Sequence, residues 1–270
     1  MPIHLTAENR IAETSSKGNQ EKWREGDRWY KLDLFGYEGL AETVTSSLLQ
    51  KTNVADLGFR FVPYQMERLK AHRRLRTGCS CLNFRREGQV ILTLADLFQK
   101  GIGPRWPDQI ARQPNLAEKV HWIAEQTTQL TGLSRFGQYL TLLFEADMLF
   151  SNEDRHLNNI AVLRRGEEFG YCPLFDFGAG LLSNTRGYPL DIEPRAHLRL
   201  LRALPLETTF GRQVQAARAI YDPQLEWNFT VKDIATVLSE PLEFYPERDR
   251  ADIAERVTVC VQMQAEKLRR

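Results

Sequence analysis

The chain has 270 residues, enough for one large domain or for two small lobes that share a cleft. Its 42% hydrophobic and 26% charged residues are typical of soluble globular proteins, and no apolar run reaches the roughly 18 residues of a membrane span. The net charge of +1 gives no overall bias towards nucleic acid or anionic membranes. Because the N-terminus lacks the pattern of a secretory signal and the chain has only four cysteines, we expect a cytoplasmic protein with reduced thiols.

The N-terminal third favours strands with a single helix. Residues 1–27 are polar and rich in turn formers. Apolar and aromatic residues then predict strands over 28–34, 58–66 and 78–84. Between the first two strands, leucines and valines at helical spacing predict a helix over 37–50.

The remainder of the chain is mainly helical. Apolar periodicity predicts a short helix over 94–99 and a longer one over 116–130. Ser134 is expected to cap a helix that runs to about residue 150. Three or four helices follow, and the last is expected to begin near Pro246.

Two short apolar runs interrupt this helical pattern. Residues 159–163 and 171–177 are separated by turn-forming residues and predict a small hairpin. The sequence therefore predicts an α+β protein with a small β-rich N-lobe over 1–84 and a larger helical C-lobe over 85–270.

Three polar residues around this hairpin indicate phosphoryl transfer from ATP. Asp154 and Asn159 have the spacing of a kinase catalytic loop, D-x-x-x-x-N, and Asp176 begins a DFG tripeptide. Phosphoryl transfer needs a carboxylate that orients the acceptor hydroxyl and oxygen ligands that hold Mg²⁺ against the phosphates. Each motif alone is common, since Asp and Asn also cap turns. Their order and their placement after a helix and around a hairpin favour the catalytic interpretation.

The N-terminal strands supply a candidate lysine. Lys31 lies mid-strand between apolar neighbours, where an unpaired amine would be costly. A cleft-facing lysine can hold ATP phosphates and pair with a glutamate on the following helix. That helix offers Glu38 and Glu42; we favour Glu42, because Glu38 lies in the first turn and equally suits the helix dipole. The alternative for Lys31 is an exposed strand position.

Four segments carry a combination of motifs: SSKGNQEK, GYEGLAETVTSSLL, SNEDRHLNNIAVL and PLFDFG. Together they resemble the HipA-like serine/threonine kinases, particularly their compact CtkA-like branch. SSKGNQEK at 15–22 resembles the S-x-x-G-x-Q-x-K phosphate loop of this family, although the segment alone would be interpreted as a polar tail. GYEGLAETVTSSLL, SNEDRHLNNIAVL and PLFDFG resemble the same family. The resemblance implies a bilobal protein-kinase-like fold, the use of ATP and Mg²⁺, and phosphorylation of serine or threonine on a protein.

The resemblance also assigns roles to individual residues. Asp154 would be the catalytic base, and Asn159 and Asp176 would hold magnesium. Lys31 would contact the phosphates beside Glu42. The phosphate loop would cover them with Gly18, Asn19 and Gln20, and adenine would meet the backbone of a hinge formed by Cys81, Leu82 and Asn83.

The resemblance further implies regulation by autophosphorylation. In this family a serine at the start of the phosphate loop is modified, which ejects the loop and inactivates the enzyme. Ser15 matches that position and Ser16 is the adjacent candidate. A phosphate there would place about two negative charges where the ATP phosphates must bind.

Other functions remain open from the sequence. The loop Asp154-Arg155-His156 followed by Asn159 also matches the D-R-H-x-x-N pattern of phosphoinositide kinases, and His156 would there assist proton transfer or stabilise phosphate, or else pack structurally. The segment after Gly178 is not basic, which disfavours a lipid acceptor.

Two non-enzymatic alternatives also remain. The basic run over 68–76 is the only sequence feature that favours nucleic-acid binding. Aromatic residues are not interleaved with it, so a solvent-exposed charged surface is the favoured interpretation. A pseudokinase is disfavoured because the polar catalytic residues are all present. The protein substrate is not identified by the sequence, and an antitoxin-like or regulatory protein partner stays open.

Overall fold

The computed structural model describes residues 3–5 and 21–269, and these residues form eight strands and nine helices. The strands are β1 (Ile3–Leu5), β2 (Lys22–Glu25), β3 (Arg28–Leu32), β4 (Gln65–Ala71), β5 (Arg74–Leu82), β6 (Val90–Thr93), β7 (Ala161–Arg165) and β8 (Glu168–Tyr171). The helices are α1 (Glu38–Leu49), α2 (Leu94–Gly101), α3 (Trp106–Ala111), α4 (Leu116–Thr131), α5 (Phe136–Leu149), α6 (Pro194–Leu198), α7 (Phe210–Tyr221), α8 (Val231–Leu242) and α9 (Glu247–Leu268).

The first five strands form one mixed sheet in the order β1-β4-β5-β3-β2. β1 is parallel to β4, and the other neighbours are antiparallel. Tyr30 and Leu32 of β3 pack with Trp23 in a small apolar cluster. Because side chains alternate along a strand, Lys31 points to the opposite face of the sheet. Helix α1 packs against the sheet through β3, β4 and β5.

A second sheet and the helices form the larger part of the molecule. Strands β6, β7 and β8 pair in that order, and the β7–β8 turn uses Gly166 at a φ of 59°. Helix α5 is buried along nearly its whole length. Its buried Glu145 accepts hydrogen bonds from the Arg218 guanidinium at 2.6 Å and the Leu225 amide at 2.7 Å, so the polar group is satisfied within the core.

The segment before the last helix contacts the segment that follows β3. Tyr245, just before α9, donates its hydroxyl hydrogen to Asp33 Oδ2 at 2.6 Å, and Asp33 Oδ1 accepts from the Gly39 amide at the same distance. Both side chains are buried. Burial raises the pKa of Asp33 to about 7, although the Tyr245 hydrogen bond acts in the opposite direction.

The α+β class, with a small strand-rich part and a larger helical part, is confirmed. The division of the chain at residue 84 stays a prediction. Four helices follow the second sheet, and the last begins directly after Pro246 as expected.

The strand expected over 58–66 is wrong for most of its length. β4 begins only at Gln65, and the preceding backbone instead pairs with the segment after β8. The Val62 amide donates to the Leu174 carbonyl at 2.9 Å, and the Leu174 amide donates to the Arg60 carbonyl at 2.7 Å. Apolar residues do alternate over 58–66, but the backbone of this segment bonds to the segment after β8 and connects the two parts of the molecule.

Two further local predictions are corrected. Ser134 does not cap α5: Arg135 is the N-cap residue, and its amide donates to the Tyr171 hydroxyl at 2.9 Å. A long-range contact thus takes the place of a local cap. The second arm of the hairpin is β8, not 171–177, and residues after Tyr171 leave the sheet towards Asp176.

Candidate active site

Lys31 lies at the centre of the candidate site between two carboxylates. Its Nζ donates to Glu42 Oε1 in a short hydrogen bond and to Asp176 Oδ1 at 2.6 Å. Lys31 is only 8% exposed, and its Nζ lies 5.2 Å from the centre of the Tyr64 ring. The Lys31 amine of β3 therefore contacts Glu42 of helix α1 and Asp176 of the DFG tripeptide.

The two helix glutamates have different partners. Glu42 is buried, and its second oxygen accepts the Phe177 amide at 2.9 Å. Glu38 instead accepts three backbone amides that precede α1, from Leu34, Phe35 and Gly36. Glu38 thus fixes the entry into the helix, while Glu42 connects Lys31 to the segment around Asp176.

The charges around Lys31 set its protonation and that of Asp176. Burial alone would lower the pKa of Lys31, but Asp176 and Glu42 raise it well above its usual value. Burial alone would raise the pKa of Asp176, but Lys31 and then Lys22 lower it well below its usual range. The site therefore holds a protonated lysine and an ionised aspartate.

The loop after α5 presents Asp154 to solvent. The Asp154 side chain is 55% exposed, and partial burial together with the nearby Asp176 charge raises the pKa of its carboxyl. Asn159 Nδ2 donates to the Asp154 main-chain oxygen at 2.7 Å and to its Oδ2 at 3.3 Å. His156 Nε2 lies 3.7 Å from Asp154 Oδ1, so these three predicted residues are brought together.

A buried arginine holds this loop in place. Arg155 contacts both oxygens of Asp147 in α5 at 3.0 to 3.1 Å through Nε. Its Nη1 donates to the carbonyls of Asn159 at 3.0 Å and Phe175 at 2.7 Å, and its guanidinium lies 4.8 Å from the centre of the Phe177 ring. One side chain thus ties the helix, the loop and the DFG segment together.

The DFG segment has an unusual backbone. Asp176 has a φ of 63°, which is uncommon for a residue other than glycine. Phe177 is buried and packs against Phe150 with ring centres 6.1 Å apart. Asn152 Nδ2 donates to Asp147 Oδ1 at 2.7 Å and lies 3.4 Å from the Asp176 carbonyl. The neighbouring contacts therefore maintain a conformation that directs the Asp176 carboxylate to Lys31.

The predicted hinge residues lie at the end of β5. Cys81 is buried opposite Trp29, and Leu82 is exposed opposite Arg28. The Asn83 amide donates to the Asp27 carbonyl at 2.8 Å. The adenine role of these three residues stays a prediction, and in this arrangement the Asn83 amide is already engaged.

Residues 15–20 of the predicted phosphate loop lie outside the described residues. This applies to Ser15, Ser16, Gly18, Asn19 and Gln20.

Several residues around the site were not singled out from the sequence. Lys22 pairs with Lys31 across β2 and β3; burial lowers its pKa, and the Asp176 charge acts in the opposite direction. Lys22 is the last residue of the S-x-x-G-x-Q-x-K segment, and this motif is the sequence signal that could have identified it as a site residue. Arg155 had a signal in the D-R-H motif, whereas Asp147 and Asn152 had none.

Another network fixes the segment that follows the DFG tripeptide. The Tyr188 hydroxyl lies 2.7 Å from both oxygens of Glu153, the neighbour of Asp154. Arg256 of α9 is almost fully buried and donates to the carbonyls of Tyr188 and Pro189. Backbone carbonyls at this segment are thus held by a charged side chain from the last helix.

The architecture is the bilobal protein-kinase-like fold that the sequence predicts. Among solved structures, the chain is similar to the Helicobacter pylori proinflammatory kinase CtkA, with a TM-score of 0.58 and 15% identity over 92% of this chain and 90% of that chain. It also matches HipA of the Shewanella oneidensis MR-1 HipA–HipB toxin–antitoxin complex with operator DNA, with a TM-score of 0.48 and 12% identity over 93% of this chain and 64% of that chain. The similarity to CtkA agrees in fold with the resemblance drawn from the sequence. No family model and no curated protein matches the chain.

The donor set fits a magnesium ion that is shared with a phosphorylated ligand. No group of three or more His, Cys, Asp or Glu side chains suited to a metal occurs in the described residues. Magnesium commonly uses one or two carboxylates together with substrate phosphates and waters. Asp176 offers an ionised carboxylate, and Asn159 directs its amide NH₂ to Asp154, which leaves its carboxamide oxygen as a donor.

In the described part of the chain, no helix combines the length and apolar character needed to cross a membrane.

Proposed function

We propose that the chain is an ATP- and Mg²⁺-dependent protein kinase that phosphorylates serine or threonine hydroxyls. The observation that carries the proposal is the convergence of Lys31, Glu42 and Asp176, with the exposed Asp154 near enough to Asp176 for their charges to interact. Phosphoryl transfer depends mainly on positioning and electrostatic stabilisation. Each of these side chains can supply one part of that requirement.

Each residue of the site would have a separate role in phosphoryl transfer. Lys31 would contact the phosphates of ATP, and Glu42 would keep its amine in position. Asp154 would orient the acceptor hydroxyl and accept its proton; the raised pKa of its carboxyl favours this. His156, at 3.7 Å from Asp154, would polarise this carboxylate or meet the transferred phosphate.

Asn159 and Asp176 would hold Mg²⁺ through their side-chain oxygens. The ion, when bound, neutralises charge on the phosphates during transfer. The Lys31 ammonium compensates the charge of the Asp176 carboxylate. The hinge over Cys81, Leu82 and Asn83 and the phosphate loop with Gly18, Asn19 and Gln20 belong to the proposal as adenine and phosphate contacts.

Autophosphorylation at Ser15 or Ser16 is the regulatory part of the proposal. It rests on the match of 15–22 to the phosphate loop of the HipA-like kinases. A phosphate at either serine would compete with ATP for the same cationic surroundings.

Incubation with Mg²⁺-ATP followed by intact-protein and peptide mass spectrometry tests the proposal. We expect a phosphate on Ser15 or Ser16 in the unmodified chain and none in Asp154→Ala. Asp252→Ala is the matched control, because Asp252 is an exposed aspartate of α9. Wild-type phosphate transfer by Asp154→Ala would refute the catalytic assignment, and a chain that phosphorylates neither itself nor any peptide would refute the kinase proposal.

A phosphoinositide kinase is the alternative, favoured by the D-R-H-x-x-N loop. Against it, Arg186 in the segment after the DFG tripeptide lies over the Phe35 ring at 5.2 Å and is already engaged. Label transfer from ATP to phosphoinositide vesicles but not to protein would favour the lipid acceptor.

The basic run does not support nucleic-acid binding strongly. Arg68 donates to Thr77 Oγ1 at 2.7 Å, and Arg76 donates to the Asp33 carbonyl at the same distance. These guanidinium groups stabilise the β4–β5 hairpin and its surroundings. A cytoplasmic location and an antitoxin-like or regulatory partner remain proposals.

A further inference from the structure

A cavity of about 540 Å³ lies beside the loop that carries Asp154. Its walls come from α2, α3, α4, the catalytic loop and residues 204–207. The volume lies within the range of protein sites that bind small molecules or single side chains.

The cavity walls are mainly apolar. Trp106, Ile110 and Leu206 line it and are partly buried against the main core, which fixes their positions. Lys119 and Glu207 also line the cavity and carry opposite charges. The pocket therefore has no net charge to attract an acidic or basic group, and a charged guest would lose hydration there.

The cavity is continuous with the catalytic loop. His156 lines it, and the Nε2 atom of this residue lies 3.7 Å from the Asp154 carboxylate. Asp154 is more than half exposed on the same loop. A polypeptide that presents a hydroxyl to Asp154 would thus place neighbouring residues near the cavity mouth.

We propose that this cavity, the catalytic-loop pocket, binds an apolar side chain of the acceptor polypeptide close to the phosphorylated serine or threonine. An extended chain advances roughly 3.3 to 3.6 Å per residue, and one imidazole ring separates Asp154 from the pocket. The apolar residue therefore lies about two to four positions from the acceptor. The inference rests on the proposed kinase function and adds its substrate class: polypeptides with leucine or phenylalanine at a fixed offset.

A peptide panel tests this proposal. Each peptide contains one serine, with Leu, Phe, Ala, Asp or Lys placed in turn at each of the four positions on either side. We measure kcat/KM for phosphate transfer by the full chain. Leu or Phe at one offset should raise kcat/KM at least about tenfold over Asp or Lys, since burying such a side chain is worth at least one factor of ten.

A variant that fills the pocket separates its effect from general activity. Ala111 is an exposed residue of α3 that lines the pocket, and Ala111→Trp should abolish the apolar preference. Arg112→Trp is the matched control, because Arg112 is the next residue and does not line the pocket. It should retain the preference. Cooperative thermal unfolding of both variants verifies that they fold.

The outcomes distinguish this inference from the kinase proposal. Transfer to all peptides without an apolar preference, or a preference that survives in Ala111→Trp, overturns the pocket assignment and leaves the kinase proposal standing. Transfer to neither peptides nor the chain itself overturns both. Transfer to phosphoinositide vesicles alone also overturns the pocket assignment, because the acceptor is then not a polypeptide.

Discussion

Replacing Glu42 with glutamine tests whether the buried pair around Lys31 controls the site. The change keeps the size of the side chain but removes its charge. Glutamine can still accept the Phe177 amide through its carbonyl oxygen, so that contact can persist. Lys31 then has Asp176 as its only carboxylate in the trio. We expect moderate destabilisation and a large loss of phosphate transfer.

The magnitudes follow from burial and from the remaining contacts. Leaving a buried charge wholly unpaired costs about 3–5 kcal/mol, but Lys31 retains Asp176 at 2.6 Å. The loss is then closer to one hydrogen bond to a charged group, about 2 kcal/mol. Lys31 would move towards Asp176 and away from the phosphates. A displacement of about 1 Å can lower a catalytic rate a hundredfold, so we expect kcat to fall about that much.

Glu38→Gln provides the matched control. Glu38 is the other buried glutamate of α1 and accepts three backbone amides. Glutamine replaces one of the two accepting oxygens with an NH₂ group, which cannot accept from the backbone N–H groups. This should lower the free energy of unfolding by about 1–3 kcal/mol. Because Glu38 has no contact with Lys31 or Asp176, kcat should change less than about threefold at temperatures where both variants are folded.

Urea unfolding and steady-state phosphate transfer to a peptide substrate, measured on both variants, decide the matter. We expect similar losses of stability and a loss of kcat confined to Glu42→Gln. A wild-type kcat in Glu42→Gln would refute the role of Glu42, and an equal loss of kcat in both variants would show that helix stability alone is responsible.

Three further predictions concern other parts of the site. Asp176→Asn should weaken Mg²⁺-dependent ATP binding by at least about tenfold in isothermal titration calorimetry, because it removes the only charged ligand of the proposed pair; unchanged affinity would contradict this. Burial raises the pKa of Asp33 to about 7, so folding favours the protonated carboxyl. The stability that this group contributes is lost as the pH rises from about 4 to about 7, and the loss is on the order of 4 kcal/mol at most. Asp33→Asn resembles the protonated form and should flatten the difference between unfolding free energies at pH 5 and pH 8; an unaltered difference would argue against it. Arg256→Ala leaves carbonyls of Tyr188 and Pro189 without their donor and should destabilise the fold by about 2–4 kcal/mol and accelerate tryptic cleavage after Arg186; unchanged cleavage would show that other contacts hold this segment.

Local signals in the sequence were sufficient for much of the fold, and they also led to the choice of site residues, whose roles stay predictions. The helix over 37–50 and the strand with Lys31 have strong periodicity, and the structure has α1 and β3 there. The spacing of Asp154, Asn159 and Asp176 follows a motif. Asp176 contacts Lys31, and Asn159 contacts Asp154.

The remaining features depend on contacts between distant residues. The run over 58–66 alternates like a strand, but its backbone bonds to Leu174, far along the chain. α5 begins at a position set by the Tyr171 hydroxyl and not by Ser134. The buried pair of Arg155 and Asp147 and the catalytic-loop pocket likewise require the folded arrangement. No local pattern specifies which distant partner will satisfy a buried polar group.

The separation of the buried contacts around β3 has a consequence for synthesis of the chain. Lys31 finds Asp176 only 145 residues later, and Asp33, two residues further along, finds Tyr245 after 212 residues. A nascent chain in which Asp176 has not yet been synthesised leaves Lys31 with Glu42 as its partner, and one that lacks Tyr245 leaves the buried Asp33 carboxyl without its hydroxyl donor. Because such long-range contacts form slowly, the proposed catalytic arrangement forms only after the segment with Asp176 has been synthesised. A fragment that ends before Asp176 would be catalytically silent.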